Sequence, residues 1–208
     1  MERTDVRPFS LAGRPETGED VLEVTHPYDG RLVAQVAVPT DKQLEEAIGA
    51  ADEVRAAAAA LPIATRAEAL AHTSRRLAER AEEIAALITA ENGKPIRWAR
   101  LETARAVSTF RWAAEEARRW SGQVQRLDTD ITAKGRMALI RRVPRGPVLG
   151  ISPFNFPLNL VAHKVAPALA VGAPIVVKPA PATPMSALLL GEILAETDLP
   201  AGMISVLP

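Results

Sequence analysis

Cysteine is absent from the 208-residue sequence. Disulfides, thiolate metal sites and a cysteine nucleophile are therefore excluded within this chain, and no metal site is expected. An excess of either charge is missing too, since 25 Lys and Arg balance 25 Asp and Glu. No net field favours nucleic acid or an anionic membrane as a partner. The opening, MERTDVRPFS, has no apolar signal-peptide core. VAPALAVGAPIVV (165–177), the longest uncharged apolar run, is interrupted by Pro and Gly. It is also shorter than the roughly 20 residues that a membrane span needs. No internal repeat occurs, and low complexity is confined to the alanines at 56–60. At 48% hydrophobic and 24% charged, the composition is that of a soluble globular protein with a core, and a cytoplasmic location is expected.

The residues present divide the chain in two. Alternating apolar runs at 21–25 and 31–38 flank HPYDG, whose Pro, Asp and Gly predict the turn of a hairpin. Thr40 with Gln43 fits a capping box opening an alanine-rich helix that stops before Pro62. Thr65 with Glu68 suggests a second box. From there Leu70, Leu77, Ile84, Leu87 and Ile88 recur on one face of a single helix. NGKP ends that helix, with Gly93 free to take positive φ and Pro95 unable to continue. A third helix is predicted over 96–120, with Trp98, Leu101, Phe110 and Trp112 partly on one side.

Beyond Ser121 the pattern becomes β-α-β-α-β. RMALIRRVPRG and PVLGIS read as short strands, and the basic RRVPR as a solvated strand edge. A helix from Pro157, the strand PIVVKP, a helix opening at TPMSALLLGEILAE and the apolar MISVLP follow. Continuous rather than alternating hydrophobicity indicates an α/β fold with a parallel sheet covered on both faces. Three strands with nothing after the last leave an edge open, so an incomplete sheet and self-association are expected.

Two polar residues sit where such sheets bind ligands, at the C-terminal ends of strands. In GISPFNFPLN (150–159), Pro153 and Pro157 stiffen a short link around Asn155. An amide held there can present two donors to a developing oxyanion. Capping the next helix or bracing the turn would equally explain an Asn. Lys178 closes the strand PIVV. It can donate to ribose hydroxyls or phosphate oxygens, or simply extend to solvent.

With these residues in view, the sequence resembles the aldehyde dehydrogenase superfamily. PFNFP is similar to that family's aromatic-Asn-Phe-Pro motif, and the run from Lys164 to Pro208 resembles the segment after it. ENGKP and AAEEAR match stretches further upstream. The resemblance implies an enzyme oxidising an aldehyde to a carboxylic acid with NAD or NADP, through a thiohemiacetal on a cysteine. Asn155 would form the side-chain half of the oxyanion hole. Cofactor contacts would fall on Ser152, Pro153, Phe154, Asn155, Lys178, Pro179, Ala180 and Pro181. Lys178 would meet the adenosine ribose or a 2′-phosphate. Pro181 departs from the Glu that NAD-using members often carry, which leaves NADP open. Arg105 lies on a helix that would run near the substrate entrance, where it could pair with an anionic aldehyde or face solvent.

The same resemblance divides the chain into an arm and hairpin (1–39), a helical part of the cofactor domain (40–122), a β-extension (123–146) and the first βαβαβ of the dinucleotide domain (147–208). The first and third carry strands of the type that pair subunits, so a dimer or tetramer is expected. The family's nucleophile and general-base Glu would lie past Pro208, so this chain alone is expected to be inactive. A non-catalytic interaction module is the alternative.

Overall fold

Residues 6–208 are described by a computed structural model; the start of the expected arm, 1–5, lies outside them. Two short strands that no periodicity signalled come first, β1 (Phe9–Leu11) and β2 (Arg14–Glu16), joined through Ala12 and Gly13 at positive φ. The predicted hairpin follows as β3 (Asp20–Thr25) and β4 (Leu32–Val38), antiparallel around HPYDG. The hydrogen bond from Gly30 N to His26 O, 2.9 Å, closes its turn.

Helix α1 (Asp41–Ala60) opens with the expected capping box. Thr40 Oγ1 accepts from Gln43 N at 3.3 Å, and Gln43 Oε1 accepts from Thr40 N at 3.0 Å. The second expected box does not form. Helix α2 (Ile63–Glu79) starts two residues before Thr65, behind Pro62, and has no side-chain cap. A proline there already holds a helix-compatible φ, so the helix begins as soon as the ring permits. Glu68 instead pairs with Arg75 at 2.6 Å. The single helix expected to reach Asn92 is interrupted at Arg80 (φ −98°, ψ 16°), which separates α2 from α3 (Ala81–Asn92). Neither Pro nor Gly marks the break in sequence. As expected, Gly93 takes φ 73° and its N–H caps Thr89 O at 2.9 Å.

Helix α4 (Ile96–Arg119) buries a different face from the one its tryptophans suggest. Phe110 is fully enclosed, whereas Trp98, Leu101 and Trp112 are about half exposed. The inward stripe is Ala99, Glu102, Thr103, Ala106, Phe110, Ala114 and Ala117. Small side chains let α4 approach α2, α3 and α5 closely, so steric fit rather than bulk selects the buried side.

The antiparallel pair β5 (Gln123–Arg126) and β6 (Met137–Ile140) forms a sheet of its own. After it come β7 (Val148–Ile151), α5 (Asn159–Val171), β8 (Ile175–Lys178), α6 (Met185–Ala195) and β9 (Ile204–Val206). Strands β7, β8 and β9 are parallel, in the order the α/β pattern requires. The last strand is not left bare, because β1 pairs antiparallel with β9 at Ser10 and Val206. The sheet runs β2-β1-β9-β8-β7, and its two edges are β2, exposed throughout, and β7, where Val148, Leu149 and Ile151 are open. Among the described residues no helix is long and apolar enough to cross a membrane.

If small residues define the buried face of α4, its aromatic residues should respond unequally to truncation. Phe110→Ala is expected to destabilise by about 3–5 kcal/mol, and Trp112→Ala by roughly 1 kcal/mol or less. Denaturant titration of both variants checks this, and equal losses would contradict the assigned face.

Candidate active site

Strand β7 hands the chain to a seven-residue link, 152–158, that is fastened through its backbone. Ser152 N donates to Lys178 O at 3.0 Å, which ties together the ends of β7 and β8. Phe154 O accepts from Asn92 Nδ2 at 2.8 Å and from Thr183 Oγ1 at 3.5 Å. Asn155 O accepts from Lys94 Nζ at 2.8 Å. The N–H groups of Leu158 and Asn159 both donate to Glu102 Oε1, at 3.0 and 3.1 Å. Pro153 and Pro157 add fixed φ angles to these anchors. The main chain is therefore held while the Asn155 and Phe154 side chains remain exposed.

Asn155 does not cap the following helix. Its N-cap is Leu158, and the acceptor there is Glu102, a buried carboxylate from α4. Pro157, expected in the first helical turn, is buried one residue ahead of that cap. A matching arrangement serves α6, whose N-cap is Pro184. Glu91 accepts from Met185 N at 2.8 Å, from Ser186 N at 3.1 Å and from the Ser186 hydroxyl.

The remaining predicted residues divide by exposure. Lys178 is exposed at the end of β8, in register with Ile151, and its ammonium has no hydrogen bond or ion pair among the described residues. Pro179 is buried, Ala180 half-buried and Pro181 exposed. The Ser152 hydroxyl is buried and has no partner among the described residues, so it does not stand free at the strand end. Arg105 is exposed on α4, with its guanidinium 5.8 Å from the centre of the Phe156 ring. The structure thus brings Asn155, Phe156 and Arg105 to one locality, and Ser152 and Lys178 to the neighbouring strand ends.

Glu91, Asn92, Lys94, Glu102 and Thr183, which hold this arrangement, were not predicted as site residues. No sequence signal marked them, because the caps that need them, Leu158 and Pro184, emerge only in the structure. Neither Leu158 nor Pro184 can accept a hydrogen bond from its helix through its own side chain, so each helix needs an acceptor from elsewhere.

A dinucleotide fits these residues in part. The exposed Lys178 ammonium at the end of β8, unpartnered among the described residues, suits hydroxyl-bearing or phosphorylated ribose, whereas the enclosed Ser152 hydroxyl is not open to it. A pyrophosphate commonly sits at a helix N-terminus. Here the N-termini of α5 and α6 are both filled by the chain's own carboxylates, so neither is free for an anion. Among the described residues no group of His, Asp and Glu is arranged to hold a metal.

Burial, with a small push from the Glu102 charge, raises the Glu91 carboxyl to about 7, against bonds from Ser186 and Met185 that favour its ionised form. An acid whose pKa is higher folded than unfolded favours the folded chain at low pH. That contribution is whole below the ordinary value of 4.5 and is lost as pH rises through about 7. Its full span is on the order of 3 kcal/mol. Glu91→Gln keeps an acceptor for the two N–H groups but cannot titrate. The melting temperature of the parent minus that of Glu91→Gln should therefore fall between roughly pH 5 and roughly pH 8. A flat difference across paired melts would remove this role for Glu91.

The aldehyde dehydrogenase family profile matches residues 14–208. The 3-sulfolactaldehyde dehydrogenase of Priestia aryabhattai is 37% identical over 206 residues, 98% of this chain and 43% of that protein. A crystal structure of aldehyde dehydrogenase 21 from Physcomitrella patens, in complex with the reaction product succinate, superposes with a TM-score of 0.96 at 45% identity. The match covers 99% of this chain and 43% of the moss chain. An NADP-dependent glyceraldehyde-3-phosphate dehydrogenase from Bacillus halodurans C-125, complexed with NADP, gives 0.91 at 32% identity over 98% of this chain and 43% of its own. The chain thus spans 43% of the length of these relatives. A link fastened at the ends of β7 and β8, a fold shared at such TM-scores and a profile match over nearly the whole chain agree that this protein belongs to the aldehyde dehydrogenase family.

Proposed function

We propose that this chain supplies the oxyanion-binding amide and part of the dinucleotide crevice of an enzyme that oxidises an aldehyde to a carboxylic acid with NAD or NADP. One observation carries the reading: Asn155 is exposed on a link whose backbone is fixed at three successive points. The chain has no cysteine, so the attacking thiolate comes from outside these 208 residues. Its addition to the carbonyl leaves negative charge on oxygen, and a preset amide donor stabilises that charge without having to reorganise. When bound, the nicotinamide supplies the hydride acceptor. Lys178 meets the adenosine ribose or a 2′-phosphate, and an uncharged Pro181 does nothing to repel the latter.

The aldehyde in this proposal carries a distal anionic group. Arg105 is a solvent-exposed cation with no hydrogen bond or ion pair to its side chain among the described residues, beside the Phe156 ring that follows Asn155. The names of two relatives support this choice, since one acts on a sulfonated aldehyde and the other is bound to the dicarboxylate succinate. In the whole enzyme, Asn155→Ala should lower kcat roughly 10²–10³-fold with little change in cofactor affinity. Arg105→Ala should raise KM for a carboxylated aldehyde roughly 10- to 100-fold and leave a neutral aldehyde of equal length nearly unaffected. Steady-state kinetics with the two substrates tests both roles, and equal effects on them would end the role of Arg105.

Self-association belongs to the same proposal. The separate β5–β6 sheet exposes Val124, Met137 and Leu139 by 67–79%. A second copy would cover this apolar pair of strands, whether in a dimer or a tetramer, or in a non-catalytic interaction module. Leu139→Lys should shift the sedimentation of the assembly toward smaller species, and an unchanged profile would exclude β6 from the contact.

A further inference from the structure

The Lys94 side chain is only 11% exposed, and all three donor directions of its ammonium are used. One goes to the fully buried Glu102 carboxylate. Another goes to Asn155 O at 2.8 Å. The third faces the Phe156 ring, whose centre is 4.0 Å away. Glu102 is divided in the same way. Its Oε2 takes Lys94, and its Oε1 takes the N–H groups of Leu158 and Asn159.

One ion pair therefore grips the chain at both ends of a three-residue stretch, 156–158. It fixes the carbonyl of residue 155 on one side and the first helical amides on the other. With Pro157 holding φ between them, the peptide plane after Asn155 has little freedom to turn. The direction in which the Asn155 side chain leaves the backbone follows from that plane.

We propose that Lys94, charge-paired with Glu102, is a positioning residue that aims the Asn155 amide; this rests on the oxyanion reading of Asn155. Lys94 does not itself touch the reacting atoms. It acts by holding one carbonyl, and an ammonium can do so while paired because it is a compact charge with three divergent donors. A guanidinium is planar and cannot reach the same three targets.

The test uses the whole enzyme and the double variant Lys94→Met/Glu102→Gln. Removing either charge alone strands the other in a buried site and can unfold the protein. Removing both leaves none stranded, and the Gln carbonyl still accepts from Leu158 and Asn159. The variant should fold, as judged by circular dichroism and a cooperative melt. Its kcat should fall roughly 10- to 100-fold, with KM for the dinucleotide within about twofold. On an Asn155→Ala background the same change should cost less than about twofold, because the group being aimed is already gone. Lys94→Arg, with its charge kept, should lose kcat to a similar extent.

A merely structural tether would give losses that multiply with Asn155→Ala, and that result would overturn the proposal. Asn155→Ala damaging on its own, beside a harmless Lys94→Met/Glu102→Gln, would overturn it and leave the oxyanion reading intact. A harmless Asn155→Ala would remove both together.

Discussion

Two buried carboxylates, each accepting from the first N–H groups of a helix on another part of the chain, fix the elements around the candidate site. Glu91 closes α6 and Glu102 closes α5. A charge in a protein interior is costly unless it is paired or strongly hydrogen-bonded. Each carboxyl here meets several donors, although at Glu91 burial still outweighs them. The donors are also the groups that a helix N-terminus leaves unsatisfied, and the helix dipole favours a negative charge beside them. One set of contacts therefore resolves three problems: a buried acid, two bare helix starts, and the placing of α3 and α4 against α5 and α6.

Position then follows from these anchors. The helices so fixed begin just beyond the ends of β7 and β8, so fixing their first turns also fixes the link around Asn155 and the approach to Thr183. The short ENGKP segment contributes at three of its five positions. Glu91 caps α6, Asn92 holds Phe154 O, and Lys94 holds Asn155 O. Gly93 makes this possible, since its positive φ ends α3 sharply enough for flanking residues to point at different targets. Filling both helix starts from within also has a chemical consequence. Neither can serve as the phosphate site usual for dinucleotide folds, so the polar contacts left to a cofactor here are at the strand ends.

Much of this was legible from sequence where a local rule governs the outcome. The Thr40 box, the HPYDG hairpin, the Gly93 stop and the parallel β-α-β order each depend on residues close in the chain. Legibility fails where the deciding partner is distant. β1 has three residues and no periodicity, and only pairing with β9 makes it part of the sheet. Thr65 and Glu68 have the spacing of a box, but Pro62 starts the helix earlier. On α4 the tryptophans draw attention while alanines do the packing, because close approach of neighbouring helices rewards small side chains. At the site, the prolines on either side of Asn155 led us to expect a stiff link there. The acceptor for the next helix was not expected, since Glu102 is 57 residues from Asn159.

A rule follows for sequences of this kind. A helix that starts at Leu158 or Pro184 without Ser, Thr, Asp or Asn at its cap lacks an acceptor, yet the first N–H groups of a buried helix still need one. A local cap satisfies a donor without joining one element to another, whereas a carboxylate from a second helix satisfies two and sets their separation as well. Apolar residues in place of Glu91 and Glu102 would remove a desolvation cost, and a buried ion pair such as Lys94–Glu102 is often no more stabilising than such a replacement. What the apolar versions would lose is direction, because hydrocarbon contacts do not orient a peptide plane. The proposed catalytic amide hangs from that plane, so the direction these two carboxylates impose is what an apolar core could not supply.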